Sequence, residues 1–325
     1  MTTTWGLLST ARINDYIIAA ANKSDRVRIM GVASRDRARA EAYARANQIP
    51  RSYGTYEELL GDPDIDALYV SLPNSMHVDW SIRALEAGKH VLCEKPLSRH
   101  AGDVEKVFSV AESSGRLLME AFMYRHHPQT SRVKELVAEG AVGRPQLVRA
   151  AFSFNLTRPD DIRLSAELEG GSLMDVGCYC VSGTRNLFGE PEVVFGDQLT
   201  TPDGVDTVFS GTMRMRGDVL ASFDSALSLS DRDEFEVIGD EASIFLDDPW
   251  HCRSPIIELR REDKVEQITI EVTDSYQRQL ENFGDAIDGR AAPLLGREDS
   301  MGQARAIEAL YRSADEHKPI SLGER

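Results

Sequence analysis

Three short stretches of the sequence hold side chains able to move protons or grip a charged ligand. In Cys93-Glu94-Lys95-Pro96 an apolar strand ends on an ammonium group, and the proline fixes the backbone where the strand stops. In Gly170-Gly171-Ser172-Leu173-Met174-Asp175-Val176-Gly177-Cys178-Tyr179 two glycines allow a sharp turn into a helix. Asp175 and Tyr179 stand four apart on one face of that helix. A phenol with an ordinary pKa near 10 needs a nearby cation to exchange a proton close to neutral pH, and Lys95 is the natural candidate. Read without further context, Lys95 equally suits a solvated loop and Tyr179 a packed core. The third stretch, Leu72-Pro73-Asn74-Ser75-Met76-His77, follows a strand and opens a helix. Its polar side chains suit contacts to a ribose or nicotinamide, and they suit capping of the helix start by Asn74 or Ser75 as well.

These residues need elements that present them. Up to residue 122, short apolar runs (Trp5–Ser9, Val27–Ala33, Ala67–Leu72, His90–Cys93, Leu117–Met119) alternate with helical segments (Ile13–Ala21, Arg37–Asn47, Met76–Ala87, Asp103–Ser113). Such alternation predicts a parallel, doubly wound sheet with its ligand at the carboxyl ends of the strands. After residue 123 the pattern changes to a helix at Pro128–Glu139, a strand at Gln146–Phe154 and a helix at Leu173–Leu187. Strands then follow at Val205–Arg216, Val219–Leu227, Glu234–Gly239, Ala242–Asp247, Ile256–Arg261 and Val265–Val272, before helices at Tyr276–Asp288 and Asp299–Ala314. The expected architecture is an α/β Rossmann-type domain over 1–122, joined to an α+β domain over 123–325. The latter is built on a large, mostly antiparallel open sheet.

The first turn, Gly6-Leu7-Leu8-Ser9-Thr10-Ala11-Arg12-Ile13-Asn14, stands where a dinucleotide-binding loop belongs but lacks its glycines. Ser9, Ala11 and Asn14 fill the special positions of the G-x-G-x-x-G/A spacing. Ser9 and Ala11 are small enough for a close backbone approach, and the following helix start offers free N–H groups. A more open turn with a looser cofactor grip is expected. Ser9, Thr10, Ala11, Arg12 and Ile13 are the candidate pyrophosphate contacts.

Roughly 20 residues further on, where an acid marks NAD enzymes, the chain reads Ser34-Arg35-Asp36. A hydroxyl and a guanidinium suit the 2′-phosphate of NADP, Arg39 adds charge, and Asp36 reads as the cap of the next helix. NADP is the expected cofactor, with NAD possible.

Taken together, the first turn, the PNSMH stretch, the EKP triplet and the Asp-x-x-x-Tyr helix resemble the glucose–fructose oxidoreductase/inositol dehydrogenase (Gfo/Idh/MocA) family over nearly the whole chain. Within it, Met119–Gln129 (MEAFMYRHHPQ) points to the branch holding dihydrodiol dehydrogenase, 1,5-anhydrofructose reductase and NADP-dependent xylose dehydrogenase. The resemblance implies that Lys95 lies by the nicotinamide, that a cis peptide precedes Pro96, and that Asp175 positions the substrate while Tyr179 exchanges the proton. It also implies cofactor contacts from Leu72, Pro73, Asn74, His77, Glu94 and Lys95, and substrate contacts from His127 and Arg163. Arg125, His126 and His127, which follow the last strand of the first domain, suit a substrate contact and suit a polar hinge between the domains as well. Tyrosine at 179, where inositol dehydrogenases carry histidine, points away from those enzymes.

The function expected is hydride transfer between NADP and a sugar, sugar-derived or diol/dicarbonyl compound. An NAD-dependent polyol or inositol dehydrogenase, or a non-catalytic dinucleotide-binding regulator, are the competing readings. A formal charge of −16, from 37 basic and 53 acidic residues, disfavours nucleic-acid and anionic membrane partners. Cys93, Cys178, Cys180 and Cys252 show no metal-binding spacing and read as reduced thiols. With no signal-peptide pattern and no spanning apolar run, a cytoplasmic enzyme is expected, and no metal is required. A homodimer or homotetramer through the second sheet is anticipated, because its own helices leave one face to cover.

Overall fold

The computed structural model describes residues 2–323. Its first part runs β1 (Thr3–Leu7), α1 (Asn14–Ala21), β2 (Val27–Ala33), α2 (Arg37–Ala46), β3 (Arg51–Tyr53), α3 (Tyr56–Leu60), β4 (Ala67–Val70), α4 (His77–Glu86), β5 (His90–Cys93), α5 (Ala101–Ser114) and β6 (Leu118–Glu120). It continues with α6 (Pro128–Ala138), β7 (Pro145–Asn155), α7 (Cys178–Phe188), β8 (Pro191–Thr200), β9 (Asp206–Met215), β10 (Leu220–Ala226) and β11 (Ser228–Gly239). The last elements are β12 (Ser243–Asp247), β13 (Ile256–Arg261), β14 (Lys264–Thr269), α8 (Ser275–Ile287), α9 (Arg297–Glu316) and β15 (Ile320–Ser321).

The first six strands form one parallel sheet in the order β3-β2-β1-β4-β5-β6. This is the doubly wound order whose direction reverses between β1 and β4, the place where such sheets bind their ligand. Strands β1, β4 and β5 are buried along almost all of their length, as a sheet covered on both faces requires. Gly6 belongs to this packing rather than to the turn, because a Cβ there would meet Leu68 Cδ2 at 2.7 Å.

The second sheet has nine strands in the order β14-β13-β12-β11-β7-β10-β9-β8-β15. All its pairings are antiparallel except that of β7 with β10, which run parallel. α7 packs on β7 and β10.

The compact units differ from a single cut after residue 122. One consists of 1–98, 102–123 and 274–301, the other of 99–101, 124–273 and 302–325. The segment from Asp274 joins the parallel sheet for clear reasons of packing. Phe283 stacks obliquely on Trp5 with centroids 5.8 Å apart, and Tyr276 stacks on Tyr16 at 5.3 Å. Arg26 pairs with Glu281 at 2.7 Å and with Asp285 at 2.8 Å.

Elements that sequence reading missed are short: β3, α3 and β15. The predicted helix from Leu173 is corrected as well. Its first five residues, Leu173–Gly177, form a π turn, and the α-helix begins only at Cys178. All four cysteines are buried free thiols. Among the described residues no helix is long and apolar enough to cross a membrane.

Candidate active site

In the first unit, the turn after β1, expected to be more open for want of glycines, is braced by side chains. Ala11 N–H donates to Ser9 Oγ at 3.0 Å, and Ser9 Oγ donates to the Ser71 carbonyl at 2.9 Å. Asn14 Nδ2 donates to the Ser9 carbonyl at 2.8 Å, while Ser71 Oγ donates to Asn14 Oδ1 at the same distance. Ser71 follows β4, so this network bridges the two strands at the switch point. The expectation of a looser turn is therefore corrected: Asn14 and two hydroxyls fix it from both sides. Thr10, Ala11, Arg12 and Ile13 form a turn that leads directly into α1, whose first N–H groups, of Asn14, Asp15 and Tyr16, donate to the Ala11, Arg12 and Ile13 carbonyls at 3.1 Å.

At the end of β2, Asp36 caps α2 by accepting the Arg39 N–H at 3.2 Å, so its carboxylate is engaged at the helix start. Ser34 Oγ accepts from Asp36 N–H at 3.3 Å. Arg35 and Arg39 both act by charge on the buried Tyr56 phenol. Burial raises the Tyr56 pKa, with the two arginines opposing that rise. Neither Arg35 nor Arg39 has a carboxylate partner among the described residues. Two uncompensated guanidiniums beside a phenol match the chemistry of a phosphate monoester. The residues present thus fit a dinucleotide with a 2′-phosphate.

The stretch after β4 differs from its expected use. A 3₁₀ turn, Asn74–Met76, precedes α4, and the residues at the two cap positions, Pro73 and Met76, give no side-chain cap. His77 is 1% exposed, with Nδ1 2.9 Å from the Pro96 carbonyl and Nε2 2.8 Å from the Leu72 carbonyl. Both ring nitrogens are occupied inside the fold, which replaces its reading as a cofactor contact with that of a tie between two strand ends. Burial lowers its pKa, the two carbonyls oppose this, and the Lys95 charge adds to the lowering.

The Lys95–Pro96 peptide is cis, as the resemblance implies. Around it, Tyr69 OH donates to Glu94, and Glu120, 2% exposed, accepts the Leu97 N–H at 2.8 Å. Lys95 N–H donates to Glu94 Oε2 at 3.3 Å, so carboxylates hold the backbone at Lys95 and at Leu97.

In the second unit, the Gly170-Gly171 turn is a matter of close approach. A Cβ on Gly170 would lie 2.3 Å from the Arg163 carbonyl oxygen, and one on Gly171, at φ +126°, would lie 2.1 Å from Asp206 Oδ1. Asp206 is the anchor of the turn that follows. Buried at 2% exposure, it accepts Leu173 N–H at 2.7 Å, Ser172 Oγ–H at 2.8 Å and Tyr311 O–H at 2.8 Å. Burial raises its pKa, with these donors opposing. Sequence reading missed Asp206, whose partners are brought to it only by the sheet.

From this anchor the π turn carries Asp175, and the start of α7 carries Tyr179. Arg163 Nε donates to Asp175 Oδ2 at 2.6 Å, and Arg163 Nη1 reaches Asp161 at 3.1 Å. Of the substrate candidates, Arg163 is therefore brought to Asp175. The other two share one segment: His127 is fully buried and caps α6 by accepting Gln129 N–H at Nδ1, 3.1 Å, so it is a helix cap here. Arg125 lies in the 3₁₀ turn Met123–His126 just before it.

Tyr179, 6% exposed, is set in an aromatic cluster with Phe152 at 5.5 Å, Tyr124 at 5.7 Å and Trp250 at 6.0 Å between ring centroids. Trp250 is held in turn by an Nε1–H bond to the Ala151 carbonyl at 3.2 Å. Beside Phe152, Asp233, Asp248 and His251 each place one possible ligand atom within 4.8 Å of one another. Arg253 already bonds Asp248 there, with Nη2 3.0 Å from Oδ1.

Residues 5–122 match the oxidoreductase family with an NAD-binding Rossmann fold (GFO/IDH/MocA), and residues 130–245 match the GFO/IDH/MocA C-terminal domain. The chain is 38% identical over 325 residues to D-xylose 1-dehydrogenase (NADP(+)) 2 of Haloferax volcanii, covering 98% of this chain and 99% of that one. Among solved structures, aldose-aldose oxidoreductase of Caulobacter crescentus, complexed with glycerol, matches with a TM-score of 0.92 and 26% identity, covering 99% and 100% of the two chains. The 3-ketoreductase KijD10 of Actinomadura kijaniata, in complex with NADP and TDP-benzene, matches with a TM-score of 0.91 and 28% identity, covering 96% and 98%. A parallel sheet with a braced dinucleotide turn, a nine-stranded sheet bearing the Asp175–Tyr179 turn, and matches along both halves lead to one conclusion: this chain belongs to the Gfo/Idh/MocA family of oxidoreductases.

Proposed function

We propose that this protein is an NADP-dependent oxidoreductase acting on a CH–OH or C=O carbon of a sugar, sugar-derived or diol/dicarbonyl compound. The observation that carries this reading is Tyr179, a buried phenol in an aromatic wall, following one turn after an Asp175 carboxylate held by Arg163. The relatives support it, since they include a dehydrogenase for xylose named for NADP and a ketoreductase bound to NADP.

When bound, the nicotinamide supplies the hydride donor or acceptor. The work of the chain is then positioning and proton transfer. Ser9, Thr10, Ala11, Arg12 and Ile13 hold the pyrophosphate at the start of α1. Arg35 and Arg39, with Ser34, grip the 2′-phosphate. Leu72, Pro73, Asn74, Glu94 and Lys95 line the nicotinamide end. Asp175 orients the substrate hydroxyl, and Tyr179 gives or takes its proton. The Lys95 charge lowers the cost of ionising Tyr179 and of developing alkoxide character on the substrate oxygen.

The test is a panel of sugars and polyols with NADP or NAD, followed by absorbance of the reduced nicotinamide. Turnover by the wild type, and a loss of about a hundredfold or more in kcat for Tyr179→Phe with cofactor binding intact, are expected. Near-normal turnover in that variant refutes the proton-transfer role. We further propose that copies associate through the nine-stranded sheet as a dimer or tetramer. Phe195, Leu199, Leu220 and Ile256 are exposed on its strands. A monomer mass in light scattering removes that part.

A further inference from the structure

The turn after β12, Asp248-Pro249-Trp250-His251-Cys252-Arg253, places two neighbouring side chains to opposite ends. Trp250 is 1% exposed and packs on Tyr124, Tyr179 and Phe235. His251 comes next, with a side chain 39% exposed. Its ring stands edge-on to Phe152, centroids 5.4 Å apart at 82°, and Phe152 stands against Tyr179. One aromatic ring therefore separates His251 from Tyr179.

The imidazole is fixed from one side only. Nδ1 lies 2.6 Å from Asp233 Oδ2 and 3.3 Å from Asp248 Oδ1, and Arg253 completes the charge balance on Asp248. These are the charged groups that face the ring, Asp233 from β11 and the other two from its own turn. A nitrogen between two carboxylates carries a proton. Burial works against the charged ring, but the two carboxylates outweigh it and raise the pKa to about 9. At neutral pH Nε2 is consequently also an N–H donor, and it has no acceptor among the described residues.

We propose that His251 is a specificity-determining substrate contact, its Nε2–H donating to a hydroxyl on a carbon remote from the one that reacts. Asp233 and Asp248 are the positioning residues that hold the ring. This rests on the reading of Tyr179 as the proton-transfer group of a sugar or diol oxidoreductase. A polyhydroxylated substrate is the class it fits. A compound with a carbonyl and no further hydroxyl gains nothing from a cationic donor set across the Phe152 ring from Tyr179, whereas a pentose or hexose carries hydroxyls on carbons remote from the one that reacts.

The test compares His251→Phe, which keeps a ring against Phe152 and deletes the donor, with His251→Gln, whose amide nitrogen replaces Nε2. For the sugar turned over fastest in the panel, His251→Phe is expected to raise KM about tenfold or more with kcat within about threefold, as loss of a charged hydrogen bond predicts. His251→Gln restores most of that loss, and NADP affinity stays unchanged in both. A KM equal to wild type in His251→Phe overturns the proposal, as does a loss confined to kcat. A wild type that turns over no sugar would mark failure of the underlying reading instead. In that case the His251 Nε2 resonance in ¹⁵N-histidine-labelled, NADP-loaded protein decides. A shift on titration with D-xylose or D-glucose supports the contact, and no shift with either overturns it.

Discussion

Arg163 Nε donates to Asp175 Oδ2 at 2.6 Å, so the carboxylate one turn ahead of Tyr179 has its direction set by a residue twelve positions earlier in the chain. The Asp175 charge, outweighing burial, holds the Arg163 pKa above its ordinary value. Asp161 shares the same guanidinium and is itself lowered, its donors outweighing burial. Removing the guanidinium should loosen the hold on Asp175. Arg163→Ala is expected to lower kcat/KM by up to about a hundredfold, the scale set by misplacing a reacting group. In an Asp175→Asn background the same change should cost far less, and a double-mutant cycle on kcat/KM reads the coupling. Additive losses would show that Arg163 acts elsewhere.

Cofactor choice is expected to follow Arg35. Arg35→Ala should weaken NADP on the order of tenfold or more while NAD changes little, because a charged hydrogen bond to the 2′-phosphate is lost. Tyr56→Phe, which removes the phenol beside Arg35 and Arg39, should give a smaller shift in the same direction. Fluorescence titration with each dinucleotide measures both. An equal loss for the two cofactors would mean that neither residue reads the phosphate.

Asp206 ties the Gly-Gly turn to the sheet through three donors. Asp206→Ala leaves Leu173 N–H, Ser172 Oγ–H and Tyr311 O–H without their acceptor, each costing about 1–3 kcal/mol when buried. A marked fall in Tm is expected, with a fall in kcat/KM at temperatures where the variant is folded. Gly171→Ala should do the same by a different route, since its Cβ would collide with Asp206 Oδ1. Scanning calorimetry beside steady-state kinetics checks both, and an unchanged Tm for either variant contradicts the anchor.

Acid should weaken the fold before its carboxylates titrate. Burial, with help from Arg125, lowers His126 to about 3, and burial with Arg116 lowers His90 to about 4. Both folded values lie below the unfolded value of about 6.5, so the unfolded chain takes up protons first as pH falls. Stability is full above about pH 6.5 and is lost progressively down to about pH 4 for His90 and about pH 3 for His126. For His90 the reason is visible, because Nδ1 accepts Leu117 N–H at 3.0 Å and protonation breaks that bond. His90→Asn, which keeps an acceptor without a titrating ring, should flatten the Tm profile between pH 6.5 and pH 4. A variant profile parallel to wild type would exclude His90 as a source.

Much of this was readable from residue order. Strands β2, β5 and β13 begin and end where their apolar runs do, and Asp36 caps its helix as its type suggests. The membership of 274–301 in the first unit was not, because nothing in the helix Ser275–Ile287 announces that Phe283 and Tyr276 will meet Trp5 and Tyr16. Its apolar face fits any sheet. The π turn at Leu173 was likewise invisible, as its extra residue is imposed by Asp206 and by packing on β7, β9 and β10.

Sequence alone determined the alternation that makes a parallel sheet, the change to antiparallel strands after it, and the residue types at 35, 95, 175 and 179. Those follow from local periodicity and from side-chain chemistry, which a linear string carries in full. Tertiary structure decided which polar groups are left to act. It withdrew His77 and His127 into backbone hydrogen bonds, gave Asp175 its arginine, and set His251 between two carboxylates at the edge of the Tyr179 cluster. A hydrogen bond depends on which atoms meet within 3 Å or so, and that is fixed by the packing of segments far apart in the chain.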